Sequence, residues 1–163
     1  MIRKANLEDA SRIAEILIFA KRAAYRSIFQ DDKVAFMEMQ VLPLALQYIE
    51  NPDLLDTITV FDDGIVKGMA NTKLCTPADG AAALEIVQIY VDPFFQHNGV
   101  GEKMLREIEG QCRRNGVGSM YLWVLAKNQQ AIYFYEKHGF QPAREQQLEE
   151  GTTELLVKYA KKI

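Results

Sequence analysis

Only two cysteines, Cys75 and Cys112, and two histidines, His97 and His138, occur among the 163 residues. Without CxxC spacing or a nearby cluster of ligand residues, they exclude a disulfide framework and leave too few donors for a protein-ligated zinc site, so no metal is expected. Cys75 falls in a predicted strand and Cys112 in a predicted helix, and both read as buried small hydrophobes. A basic excess is also missing. The 19 Lys and Arg residues against 22 Asp and Glu give a net charge of −3. A nucleic-acid partner, which needs a basic face, is thereby excluded, and any anionic ligand has to be held locally. No apolar run approaches the roughly 18 to 20 residues of a membrane span. Residues 1–8 lack the apolar core of a secretory signal, so a cytoplasmic protein without a membrane partner is expected. Repeats, low-complexity tracts and linker-like stretches are lacking too, which favours one domain over residues 1–163.

What is present is an ordered series of periodic segments. Ile2–Ala5 reads as a short strand, and Asn6 as an N-cap for a helix whose face is lined by Ala10, Ile13, Leu17, Ala20 and Ala24. Asp31 and Asp32 start a second helical piece through Met39, and Pro43 enforces a break before a third that carries Leu44, Tyr48 and Ile49. Strands at 57–62 and 65–75 flank Asp63-Gly64, a dipeptide suited to a type I′ hairpin turn. A third strand follows at 82–91. Val100, Met104, Leu105, Ile108 and Cys112 then share a helical face that Asn115-Gly116 terminates. Residues 119–125 form the next strand, Asn128 opens a helix ending near His138-Gly139, and the tail is a hairpin around residues 149–151. The order β, α, α, β, β, β, α, β, α, β, β implies an α/β fold with a mixed α+β sheet. The crossover from the strand ending at Val91 to Ser119–Leu125 supplies a parallel pair in a mostly antiparallel sheet. Ligands of such open sheets sit outside the carboxyl ends of parallel strands, where Gln96–Gly101 lies.

That loop is the most informative segment. Between Gln96 and Gly101 the chain can turn several backbone N–H groups into one concavity, and the partial positive end of the following helix favours a phosphate there. Glycine at 99 and 101 removes the Cβ atoms that would keep a phosphate away from the backbone. The pattern fits neither a Walker loop, since Glu102 rather than Lys follows Gly101, nor a Rossmann fingerprint.

The spacing Gln96-x-x-Gly99-x-Gly101, after Val91-x-Pro93, resembles the acetyl-coenzyme A signature of the GNAT superfamily of N-acetyltransferases. A second landmark of that superfamily is similar to Asn128-x-x-Ala131-x-x-Phe134-Tyr135-Glu136-Lys137-x-Gly139-Phe140. The resemblance is strong over Glu85–Phe140, whereas the first 55 residues match only in their β, α, α order. It implies a GNAT-like twisted sheet with one splayed parallel strand pair, flanked by helices, and acetyl-CoA as cosubstrate with no metal. The coenzyme-binding residues it implies are Ile89, Tyr90, Val91, Gln96, His97, Asn98, Gly99, Val100, Gly101, Asn128, Ala131 and Tyr135.

Acyl transfer to an amine needs a neutral nucleophile, a polarised thioester carbonyl and a proton for the leaving thiolate. An alkyl amine with a pKa of about 10.4 is mostly protonated at neutral pH, so a base is required. Glu85 matches the position of a catalytic Glu in many family members, acting directly or through ordered water. A family β-bulge, placed here around Ile89–Val91, would free a backbone N–H to act on the acetyl oxygen. Tyr135 is the corresponding general acid. His97, inside the loop, offers a ring N–H to the diphosphate or points at solvent, and His138 caps its helix. Lys103 and Arg106 read as a solvated helix face, and transfer is direct, without an acyl-cysteine.

For the acceptor, the resemblance points to the first helices and the last hairpin. These carry Tyr25, Phe29 and Tyr48 with Asp31, Asp32, Glu149 and Glu150, a set suited to a cationic amine. Tyr25, Phe29 and Glu85 are the candidate substrate-binding residues. The expected activity is therefore acetyl transfer from acetyl-CoA to a primary amine of a polyamine-like small molecule or of a protein. The alternatives are a non-catalytic acyl-CoA-binding sensor and an interaction domain whose glycine loop is incidental. A homodimer is compatible with the edge strands.

Overall fold

Asn6 opens the first helical segment. In the computed structural model, which describes residues 1–29, 37, 39–76, 80 and 82–163, its side chain accepts from the Glu8 amide at 2.9 Å, and Asp9 accepts from the Asn6 amide at 2.9 Å. This reciprocal cap turns the chain through Leu7–Asp9 into helix α1, Ala10–Phe29. Ala10, Ile13, Leu17 and Ala20 are buried along α1 as the spacing predicts, whereas Ala24 is half-buried. Helix α2, Val41–Glu50, places Pro43 in its first turn, where the missing N–H costs no intrahelical bond. The expected helical start at Asp31 and Asp32 lies outside the described residues.

Among the described residues the strands are β1 (Ile2–Lys4), β2 (Ile58–Asp62), β3 (Val66–Cys75), β4 (Ala83–Val91), β5 (Ser119–Leu125), β6 (Gln141–Leu148) and β7 (Leu155–Lys162), in the sheet order β1-β2-β3-β4-β5-β7-β6. Helices α3 (Val100–Arg114) and α4 (Gln129–Lys137) complete the α/β pattern. The crossover pair β4 and β5 is parallel, with Ala83 to Ile86 opposite Ser119 to Leu122, while β5 with β7 and β6 with β7 are antiparallel. The mixed sheet and its parallel pair agree with the sequence order.

One turn differs from expectation. Gly64 has φ 108°, but Asp63 does not share the positive φ that a type I′ turn requires. Asp62 accepts from the Gly64 amide at 2.9 Å, Asp63 pairs with Lys67 at 2.8 Å, and the ladder shifts register between Phe61 and Asp62. The hairpin thus closes through an Asx-type turn and a bulge.

The chain groups into two compact units, Met1–Thr72 with Gln88–Ile108, and Lys73–Val87 with Glu109–Ile163. In the first, α1, α2 and β2 enclose a core that includes Ile13, Leu17, Ala45, Tyr48, Ile58, Val60 and Met69. Arg3 ties its edge together: the guanidinium contacts Asp9 at 2.7 and 2.9 Å and Asp62 at 2.9 and 3.0 Å. In the second unit Met120, Leu122, Val124, Phe140 and Tyr159 are buried. Each large aliphatic or aromatic side chain removed from water in this way contributes about 1.5–3 kcal/mol.

Candidate active site

In the first unit, β4 runs through Ile89, Tyr90 and Val91 to Asp92. This aspartate is nearly inaccessible, at 2% exposure. It caps the single turn Pro93–Phe95 by accepting from the Phe94 amide at 2.8 Å, and it pairs with Arg12 of α1 at 2.6 Å. The Arg12 Nε donates to the Val66 carbonyl oxygen at 2.9 Å. Burial opposes the charge on Arg12, but its hydrogen bonds to Glu15 and Asp92 outweigh that cost and raise its pKa. The residue that fixes the loop entrance is thus held by a charge pair whose removal would strand a buried ion.

After this anchor the Gln96 side chain donates to the Val91 carbonyl at 3.3 Å, and the backbone turns sharply. His97 adopts φ 63° and Gly99 φ 74°, both in the left-handed region. For a histidine that conformation costs on the order of 1–3 kcal/mol, a strain that recurs at ligand clamps. The Gly99 carbonyl accepts the first helical bond of α3 from the Lys103 amide at 3.0 Å, so Gly99 occupies the N-cap position. It has no side chain with which to cap. A Cβ built on Gly99 meets nothing within 4 Å, so this glycine is demanded by its left-handed backbone and not by protein packing. Val100 is buried and His97, Asn98 and Gly99 are exposed, so the helix is seated through Val100 while the turn before it faces solvent. Lys103 lies over the Phe61 ring at 5.5 Å, and Arg106 pairs with Glu102, in keeping with a helix surface.

The candidate acceptor residues of this unit are partly united. The Tyr25 hydroxyl is 3.0 Å from that of Tyr90, and its ring meets Phe29 edge-on at 5.8 Å. Tyr48 departs from the expectation. At 7% exposure it packs α2 onto the core of this unit, and burial raises its pKa.

In the second unit, Asn128 accepts from the Ala131 amide at 3.2 Å and so caps α4, which commits its carbonyl oxygen and leaves its amide nitrogen as a donor. Tyr135 is half-buried, edge-on to Phe134 at 5.4 Å and to the fully buried Phe140 at 5.6 Å. Its neighbour Tyr133 is 70% exposed and takes no part in the core. His138 ends α4 with Nδ1 2.7 Å from the Phe134 carbonyl oxygen, and Gly139 follows at φ 86°, as the C-cap reading expects.

Glu85 stands in a polar row that sequence reasoning missed. Directly opposite it in the parallel ladder is Tyr121, whose hydroxyl is 3.3 Å from Glu85 Oε2 and 3.4 Å from Cys75 Sγ. Cys75 Sγ is in turn 3.8 Å from the same carboxylate oxygen. Cys112 is fully buried as expected, but Cys75 is not a buried hydrophobe: it is half-exposed beside a charged group, because it occurs where β3 emerges from its apolar stretch. Burial, followed by the contact with Cys75 and the charge of Glu85, pushes the Tyr121 phenol well above its ordinary pKa. Among the described residues no group of three His, Cys, Asp or Glu is arranged to hold a metal, and no helix is long and apolar enough to cross a membrane.

Comparison with known proteins bears on this arrangement. A model described as the acetyltransferase (GNAT) family matches residues 19–140. Spermidine N(1)-acetyltransferase of Thermoplasma acidophilum is 23% identical over 85% of this chain and 86% of its own. The [ribosomal protein bS18]-alanine N-acetyltransferase of Escherichia coli is 36% identical over a shorter stretch, 36% of this chain and 39% of its own. Among solved structures, the PaiA N-acetyltransferase of Thermoplasma acidophilum in complex with coenzyme A superposes with a TM-score of 0.69 at 21% identity, covering 97% of this chain and 96% of that one.

Proposed function

The chain belongs to the acetyltransferase (GNAT) family, and from that premise we propose that it moves the acetyl group of acetyl-CoA directly to a primary amine, with a polyamine-like small molecule as the favoured acceptor class. The observation that carries this reading is the loop at 96–101: left-handed His97 and Gly99, open space at the Gly99 Cβ, and a helix whose N-cap residue has no side chain. A diphosphate accepts hydrogen bonds and carries negative charge, which is the ligand chemistry such a helix start favours. The pair of half-buried Arg12 with buried Asp92 keeps the loop entrance fixed. A preformed cradle of this kind fits coenzyme A.

When bound, acetyl-CoA supplies the acetyl group as a thioester. In the proposed mechanism, main-chain amides from Gln96 to Gly101 hold the diphosphate, and the Asn128 amide nitrogen donates to the pantetheine arm. A backbone N–H between Ile89 and Val91 donates to the acetyl oxygen. Glu85 takes the ammonium proton onto its carboxylate, directly or through one water. As the C–N bond forms and the C–S bond breaks, the Tyr135 hydroxyl gives its proton to the departing sulfur and is restored by the second proton that the nitrogen sheds, since a phenol of pKa about 10 hydrogen-bonds readily to a thiolate of pKa about 8.5. Tyr25 and Phe29 offer aromatic faces to a cationic acceptor.

The spermidine N(1)-acetyltransferase relative matches along most of this chain, whereas the ribosomal-protein relative matches a little over a third of it, which favours a small polyamine over a protein amino group. Thiol release from acetyl-CoA, followed with a panel of spermidine, simple alkyl amines and an alanine-leading peptide, tests the reading. Release that depends on spermidine supports it. Release with the peptide alone reassigns the acceptor, and binding of acetyl-CoA without release under any amine transfers the protein to the sensor class.

A further inference from the structure

Glu85 does not project alone. It sits in the middle of a row that crosses three neighbouring strands: Cys75 on β3, Glu85 on β4 and Tyr121 on β5. The register dictates the meeting, because Glu85 and Tyr121 are direct partners in the parallel ladder and so present their side chains on the same face. We propose that Tyr121 is a positioning residue for Glu85, its hydroxyl fixing Oε2 of the carboxylate that takes the amine proton, with the Cys75 thiol as a weaker second donor.

Proton inventory supports the assignment. Tyr121 has one O–H and Cys75 one S–H, and the acceptors in reach are Glu85 Oε2, the Cys75 sulfur, 3.4 Å from the Tyr121 hydroxyl, and the Lys73 carbonyl, which is 3.9 Å from Cys75 Sγ. Charge decides how they are shared, since a hydrogen bond to an ionised acceptor is roughly twice as strong as a neutral one. The phenol therefore directs its proton to Glu85, and the thiol divides its own between the carboxylate and Lys73. At 3.3 Å the Tyr121 contact is longer than the roughly 2.7–2.8 Å typical of O–H···O bonds, as is common at catalytic groups before substrate tightens them. Burial raises the Tyr121 pKa, which favours the protonated, donating form of the phenol.

The other end of the phenol is held as well. The Lys158 ammonium lies 4.6 Å from the centre of the Tyr121 ring and is itself tied to Glu145 at 2.9 Å, so the ring is clamped on its face while its hydroxyl reaches the carboxylate. The carboxylate gains one orientation out of several, which matters because small misplacements of a reacting group are costly in rate.

This inference rests on Glu85 being the base, and a double-mutant cycle separates the two claims. Initial rates with acetyl-CoA and spermidine are measured for the full chain and for Tyr121→Phe, Glu85→Gln and the double variant, with thermal midpoints taken alongside. Tyr121→Phe is expected to lower kcat about tenfold, the equivalent of one lost charged hydrogen bond, with little change in KM for acetyl-CoA. In the Glu85→Gln background the same change is expected to do almost nothing further. If Glu85→Gln retains turnover, the base assignment falls and the positioning role falls with it. If Glu85→Gln is impaired but Tyr121→Phe is not, or the two losses multiply, the base stands and the positioning role is overturned. Cys75→Ala, which keeps Tyr121 in place, is expected to lower kcat no more than about threefold, and a larger loss than that of Tyr121→Phe would invert the ranking of the two donors.

Discussion

The loop at 96–101 offers main-chain N–H groups, whereas the row of Cys75, Glu85 and Tyr121 offers side-chain oxygen and sulfur atoms. The two regions fail in different ways. A site made of backbone is defined by φ angles and by the helix it opens, so changing its exposed side chains leaves most donors in place, and it is damaged chiefly through what shapes the chain. A site made of side chains loses its chemistry with a single atom. The contrast explains why the loop announces itself as a glycine pattern, while the row carries no pattern at all.

The sharpest way to break the backbone-built region is through its buried anchor and not its surface. Asp92→Ala removes the buried carboxylate and its cap on the Phe94 amide, leaving Arg12 with Glu15 as its remaining ionic partner, and is expected to cost about 2.5–4 kcal/mol, read as a fall in denaturant midpoint at unchanged slope. Next in size, Glu85→Gln is expected to lower kcat by about 100-fold with KM for acetyl-CoA unchanged, which steady-state kinetics resolves. Tyr135→Phe should depress turnover by about tenfold while calorimetric affinity for acetyl-CoA holds, and unaltered turnover would remove its hydroxyl from the mechanism.

Gly99→Val probes the loop itself. A β-branched residue at φ 74° is strained, and its Cβ enters the open space, so affinity for coenzyme A is expected to fall about tenfold or more with kcat at saturation less affected. The smallest effect belongs to a region outside both. Arg3 holds the Asp9 carboxyl below its usual pKa, chiefly through their hydrogen bond. A lowered folded value means that the stabilisation is fully present above the ordinary carboxylate range, about 3.9, and disappears as pH falls through the folded value. The stability gap between the protein and Asp9→Asn should therefore be flat from about pH 7 to 5 and narrow below about 4.

Local chemistry made much of this legible. The 3.6-residue spacing of Val100, Met104, Leu105 and Ile108, the stop at Asn115-Gly116, and the limits of β5 all follow from patterns within a few residues. The crossover rule then gave the parallel pair, and with it the place of the glycine loop at a strand end. Long-range partners had no such signal. Arg12 and Asp92 are 80 residues apart, and an aspartate before a proline reads only as a cap. Tyr121 was within reach in principle, since setting the starts of β4 and β5 side by side brings it close to Glu85, but an offset of one residue would have turned it to the opposite face. Cys75 was misplaced because strand propensity says nothing of which end of a strand is covered. Tyr48 has the composition of an acceptor contact and the packing of a core residue, a distinction that periodicity alone does not make.

Calorimetric titration of the full chain and of Gly99→Val with acetyl-CoA tests most directly whether main-chain amides at 96–101 hold the coenzyme. One saturable site in the wild-type chain, weakened at least tenfold in a variant that keeps its fold, is the expected result. No heat from a folded wild-type chain at millimolar acetyl-CoA, or equal affinity in the two proteins, would contradict it.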